Sequence, residues 1–123
     1  MTDAAGALKQ AMTSIEGAIG AALVDYNSGM ALATLDGPGG LDLNVAAAGN
    51  TDVVRAKMRT MASLQLDDTI EDILITLGTQ YHLIRPLTRS HGSLFLYLAL
   101  DKARANLAMA RHQLTRIEAD LEV

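Results

Sequence analysis

The segment IEDILITLGTQYHLIRPLTRSHGSLFLYLALD, residues 70–101, reads as three successive strands with two tight connections. Ile73–Leu77 is rich in Ile and Leu and stops at Gly78-Thr79. Tyr81–Leu87 alternates large and polar residues and ends near Pro86. Leu94–Leu100 places Leu94, Leu96, Leu98 and Leu100 on one face and Phe95, Tyr97 and Ala99 on the other. Gly78 and Ser90-His91-Gly92 supply the turn chemistry between the runs. Links this short join only antiparallel neighbours. A strand apolar on both faces needs cover on both, which predicts a central place for Leu94–Leu100. The rest of the chain must then provide covering helices and further strands.

Upstream, Asp3 to Ser14 reads as a short helix, with Thr2 or Asp3 as its cap. Ala5, Leu8, Met12 and Ile15 share one helical face, and Gly17 is the expected stop. Ala18–Tyr26 is apolar and mostly small on both alternating faces, so it too belongs inside the sheet. Asn27-Ser28-Gly29 makes a hairpin turn, and Met30–Leu35 returns as a strand. The glycines of Asp36-Gly37-Pro38-Gly39-Gly40 are followed by neither Lys-Ser/Thr nor a helix in register, so they make a connector and not a phosphate loop.

The longest helix spans Asp42 to about Gln65. Leu43, Ala47, Val54, Met58 and Met61 form one stripe along it. Ala46, Val53 and Leu64 form a second stripe about 80–100° around the helix, flanked by Gly49 and Thr60. One stripe serves the chain's own sheet. The second needs another contact, either the same helix of a second copy or another part of the same domain. Gly49-Asn50 is a weak point where the helix could kink. At the other end of the chain, Asp101 is the expected cap of a final helix running from Lys102 to about Leu121. Leu107, Ala110, Leu114, Ile117 and Leu121 form its buried stripe, with Arg104, Arg111, Arg116, Glu118 and Asp120 facing water.

The 123 residues fit a single domain over 1–123. A net charge of −4 disfavours a nucleic-acid or anionic-membrane partner, because both want clustered Lys and Arg. The absence of cysteine removes disulfides and thiolate metal sites and suits a cytoplasmic location. No apolar run reaches the roughly 20 residues that span a bilayer, and the N-terminus lacks the pattern of a signal peptide.

The sequence carries no catalytic, cofactor or metal motif. His82, His91 and His112 fall on a strand, a turn and a helix, with no HxxxH or HxH spacing. Asp67, Asp68 and Asp72 do not match a calcium-loop pattern and read as a solvated turn. Ser90-His91 are adjacent in a turn and do not face each other, and no G-x-S-x-G elbow exists. Arg85 and Arg89, with His91, make a small basic spot on an acidic protein that suits an acidic partner surface, against the plainer reading of a solvated strand end.

The element order, with IEGAIGAALVDYNSGMALAT (15–34), EDILITLGTQYHLIRPL (71–87), SLFLYLALD (93–101) and NLAMARHQLTRIEADL (106–121), resembles the roadblock / dynein light-chain family over nearly the whole chain. The lone domain without long tails is similar to the bacterial and archaeal versions. The resemblance implies an α+β, profilin-like sandwich: a five-stranded antiparallel sheet, the long helix on one face, the terminal helices on the other. It also implies a homodimer in which the long helix and Ile73–Leu77 join across a two-fold axis. Leu43, Ala46, Ala47, Val53, Val54, Met58, Met61, Ile73 and Ile75 are then the expected dimer contacts, and Arg85, Arg89 and His91 the partner-facing residues. Family members regulate or scaffold small Ras-like GTPases, or serve as non-catalytic subunits of motor and signalling complexes. The implied function is a non-enzymatic module that binds such a GTPase, or alternatively a nucleotide-independent adaptor.

Overall fold

The computed structural model describes residues 2–37, 39–88 and 92–122. Among them, α1 (Ala4–Ser14), β1 (Ala18–Asp25), β2 (Met30–Asp36), α2 (Leu43–Ser63), β3 (Ile73–Thr76), β4 (Gln80–Pro86), β5 (Leu94–Asp101) and α3 (Leu107–Asp120) follow in chain order. The strands form a five-stranded antiparallel sheet of order β2-β1-β5-β4-β3. The two strands apolar on both faces, β1 and β5, lie inside it, and every residue from Leu94 to Leu100 is buried. Polar-interrupted β2 and short β3 are the two edges. The pairing of β1 with β2 shifts register between Leu23 and Val24, a bulge that leaves Leu32 with no opposite number on β1.

The alternation of β5 sorts the core into two layers. Leu94, Leu96, Leu98 and Leu100 point to the face that carries α1 and α3, where they meet Leu8, Ala11, Leu114 and Ile117. Phe95, Tyr97 and Ala99 point to the opposite face, where α2 contributes Leu43, Ala47 and Val54. Each fully buried aliphatic or aromatic side chain in these layers contributes on the order of 1.5–3 kcal/mol.

The helix ends show how local chemistry fixes the elements. Asp3 caps α1 by accepting from Gly6 N at 2.8 Å. Asp42 caps α2 by accepting from Asn44 N and Val45 N, both at 3.1 Å. α2 runs unbroken through Gly49-Asn50 and ends at Ser63, with Gln65 in left-handed backbone (φ 58°) just beyond. Among the described residues no helix is long and apolar enough to cross a membrane.

Two expectations for the C-terminal segment are corrected. Asp101 does not cap α3; it closes β5. Its N–H donates to Gly17 O at 2.7 Å and its carbonyl accepts from Arg104 N and Ala105 N, so the chain turns there before α3 begins. Gly17, at φ +88°, packs against that turn, and a Cβ there would lie 3.2 Å from Ala105 N and from Asp101 O. The true cap is Asn106, whose side chain accepts from Met109 N at 3.1 Å. Glu118 does not face water either. It is 8% exposed and accepts from Arg85 Nε at 2.7 Å and from Thr88 N at 3.1 Å. Arg111, one heptad earlier, grips Asp72 through two N–H···O contacts of 2.9 and 3.2 Å. α3 thereby ties down both the entry to β3 and the exit from β4. The turn at 67–72 is solvated except for this Asp72 contact.

Candidate interaction surface

The two faces of the sheet are unequally covered. On one, α1 lies over β1 and β2, while Ala110, Leu114 and Ile117 of α3 join the layer that includes Leu74, Tyr81 and Leu83 of β3 and β4. On the other, α2 lies over β2 and β1 and barely touches β4. The β4–β3 half of that second face carries Ile73, Ile75 and His82, all partly exposed. β3 is also the free edge, with one hydrogen-bonded neighbour, β4.

α2 is oriented to frame this open half. Thr51 turns toward the β1–β2 hairpin, 3.9 Å from a Cβ placed on Gly29. Asn50 turns the other way, toward the Tyr97 hydroxyl of β5. Ala46, Val53 and Met58 are partly buried against the same layer. Gly49 is exposed, and a Cβ there would meet nothing within 4 Å, so another backbone has room to approach. The result is a shallow seat with Ala46, Gly49 and Val53 on one wall and Ile73 and Ile75 on the other.

A polar chain crosses the floor of the seat. His82 stands between Ile75 of β3 and Ala99 of β5 in the strand register. Its Nε2 lies 2.8 Å from Gln80 Oε1, and its Nδ1 lies 3.1 Å from the Tyr97 hydroxyl. The two rings meet edge to face, with centroids 5.5 Å apart. With Gln80 Oε1 as acceptor, these contacts fit a neutral imidazole that carries its proton on Nε2 and accepts from the Tyr97 O–H at Nδ1. Burial lowers the His82 pKa from its ordinary value. Burial also raises that of Tyr97, partly offset by a hydrogen bond from Asn50.

The expected contact residues divide accordingly. Leu43, Ala47 and Val54 are 4%, 1% and 0% exposed beneath α2 and serve the chain's own core, so they are not available to a second copy. Ala46, Val53, Met58, Ile73 and Ile75 line or border the open seat. Leu64 of the second stripe lies past the end of α2 and is 61% exposed. Met61 is displaced from the seat: with Tyr26, Met58, Leu66, Ile70 and Pro86 it lines a cleft of about 390 Å³ at the C-terminal end of α2.

Of the basic spot, Arg85 is not a free cation. Its side chain is 18% exposed and its guanidinium is committed to Glu118. Arg89 and His91 lie outside the described residues. His112 is exposed on α3. The Gln80–His82–Tyr97–Asn50 chain was not predicted, because it joins α2, β4 and β5 and leaves no spacing signature. Its only trace in sequence is the polar residue pair at 80 and 82 on an otherwise apolar strand face.

No protein-family model matches the sequence, and no curated protein matches it. Solved structures do. The chain is similar to an MglB with tetrameric arrangement, at TM-score 0.78 and 19% identity over 94% of this chain and 82% of that one. It is similar to the gliding protein MglB of Thermus thermophilus at TM-score 0.77 and 19% identity, with the same 94% and 82% covered. A Roadblock/LC7 domain from Streptomyces avermitilis superposes at TM-score 0.77 with 9% identity, over 92% of this chain and 89% of that one. The fold of this chain is the roadblock/LC7 fold.

Proposed function

We propose that two copies of this chain associate through the open half of the α2 face and the free edge of β3, and that the paired surface binds a small Ras-like GTPase without itself being an enzyme. The observation that carries the first part is the uneven cover of the sheet: two helices on one face, one on the other, with Ile73, Ile75 and Val53 left half-exposed around a gap. A second α2 fits that gap, and a second β3 satisfies the unpaired edge. A two-fold axis makes the contact self-complementary and closed. In an antiparallel pair, directly opposite residues point to the same face, so a two-fold pairing of β3 sets one residue opposite its own copy. Ile75 opposite Ile75 brings Leu77, 43% exposed in the chain alone, beside Ile73 of the other copy.

The GTPase reading rests on the roadblock fold and on the sequence resemblance to a family of GTPase regulators. Arg85, held by Glu118, is not a candidate for insertion into a partner's nucleotide site. Any effect on hydrolysis then works by ordering the partner's own switch segments. Light scattering across a concentration series gives the mass. Co-elution with a small Ras-like GTPase from the same organism, loaded with GDP and then with GTP, tests the partner. A mass of one chain at every concentration refutes the dimer. Absence of co-elution in both states refutes the GTPase reading, and equal affinity in both states favours a nucleotide-independent adaptor.

A further inference from the structure

We propose that His82 makes the association of two copies sensitive to pH, with the neutral imidazole required in the assembled seat and the protonated one expelling the second copy. This rests on the dimer reading above and adds its regulation.

The contacts suit the neutral imidazole. Gln80 Oε1 takes the Nε2 proton and Tyr97 O–H donates to Nδ1. A second proton can enter only at Nδ1. It ends the bond that Nδ1 accepts across the 3.1 Å contact, because N–H and O–H cannot both point along it. The buried Tyr97 hydroxyl must then rotate away to accept from Nδ1–H, and it does so beside Asn50, on the α2 wall of the seat. Protonation is thus felt at the wall that a second copy would touch.

Among the described residues no carboxylate packs against His82 to compensate the new charge. Along β4 it is flanked by Gln80 and Ile84, across β3 by Ile75, and across β5 by Ala99 and Tyr97. The charged group of β5 on this face is Asp101, opposite Gln80 and turned back to accept from Ala103 N. From α2, Asn50 is the polar group directed at the network, while Asp52, Arg55 and Lys57 occupy exposed positions. The two ion pairs among the described residues are Arg85–Glu118 and Arg111–Asp72, and neither includes His82. In the lone chain His82 is only partly buried, so water still reaches a protonated ring. A second copy seated over Ile75 and Val53 removes that water, and the uncompensated cation then opposes association. Burial already lowers the His82 pKa in the single chain, and further burial lowers it more. The neutral form is therefore the associating form, and association weakens as pH falls through the free chain's His82 pKa.

The test is sedimentation equilibrium of the full chain between about pH 7.5 and pH 4.5, a range carried below ordinary histidine titration because burial lowers the His82 pKa. The dissociation constant of the wild type should rise at least about tenfold, toward the steeper limit of one proton taken up per chain. His82→Gln should hold its dissociation constant within about threefold over the same range, whereas His112→Gln should follow the wild type. A wild-type dimer whose affinity ignores pH overturns this inference and leaves the dimer reading standing. So does a His82→Gln dimer with the wild-type pH dependence. A wild type that is monomeric at about pH 7.5 removes the dimer reading and this inference together. Should His82→Gln fail to fold, proton NMR of the wild type decides. The His82 ring must titrate at lower pH in concentrated than in dilute protein, and a concentration-independent midpoint overturns the inference.

Discussion

The two faces of this sheet are built from the same five strands yet differ in how complete they are. The α1–α3 face is closed: its apolar side chains meet two helices, and the charged groups at its border, Glu118 with Arg85 and Arg111 with Asp72, are paired within the chain. The α2 face is closed over β1 and β2 and open over β4 and β3. The difference teaches that helix number, and not strand composition, sets where a half-covered sheet offers a contact. Ile73 and Ile75 are as apolar as the buried Leu96 and Leu98, but only the latter pair has a helix of its own chain above it.

Neighbouring valines on α2 give the largest test of that contrast. Val54 is fully buried, so Val54→Glu places an unpaired carboxylate in the core and should cost about 4 kcal/mol or more, enough to abolish the folded signal in circular dichroism. Val53→Glu should leave the chain folded and, on the proposed pairing, halve the mass read by light scattering. If both variants unfold, or neither changes the mass, the closed and open halves of the α2 face are not distinct.

Next in size is a truncation on each face. Leu98→Ala, on the closed face, should cost about 2–5 kcal/mol in denaturant unfolding, independent of protein concentration. Ile75→Ala should cost under about 1 kcal/mol in dilute protein, with a larger loss at concentrations where copies associate. Glu118→Ala strips Arg85 and Thr88 N of their acceptor and should cost about 2 kcal/mol, read as a shifted denaturant midpoint. Arg111→Ala breaks a pair whose arginine is 41% exposed, so no more than about 0.5–1 kcal/mol is expected.

The smallest effect is a pH dependence away from both faces. Asp25 accepts from Ser93 Oγ at 2.7 Å and from Asn27 N at 2.9 Å, and these bonds hold its pKa below the usual carboxylate value. Its contribution is therefore present above the unfolded-state pKa and is lost as pH falls through the lowered folded one. Asp25→Asn should lower the plateau near neutrality slightly and flatten the acid limb of a stability–pH curve, so that variant and wild type converge at low pH.

Much of the fold is legible because each element carries its own periodicity. Both faces of 94–100 are apolar, and that alone places the strand inside the sheet. The first stripe on α2 reads as the one facing the chain's own sheet, and Leu43, Ala47 and Val54 are enclosed there. What escaped is tertiary. Asp101 resembles a helix cap, and only its hydrogen bond to Gly17, far back in the chain, shows that a turn intervenes. Arg85 and Glu118 look like independent solvated charges because 33 residues separate them. The His82 network joins α2, β4 and β5, and no spacing rule links Asn50, Gln80 and Tyr97.

The bulge at Leu23/Val24 has a consequence for how far assembly runs. A sheet with two receptive edges, each joining by a two-fold axis, propagates as an endless ribbon. β3 keeps a regular register with its neighbour, whereas β2 carries the extra residue Leu32 and ends in the carboxylate of Asp36. A strand arriving at β2 finds its donors and acceptors out of step and a charge at one end. On the proposed pairing one edge joins and the other terminates, so two copies would associate without seeding a fibre.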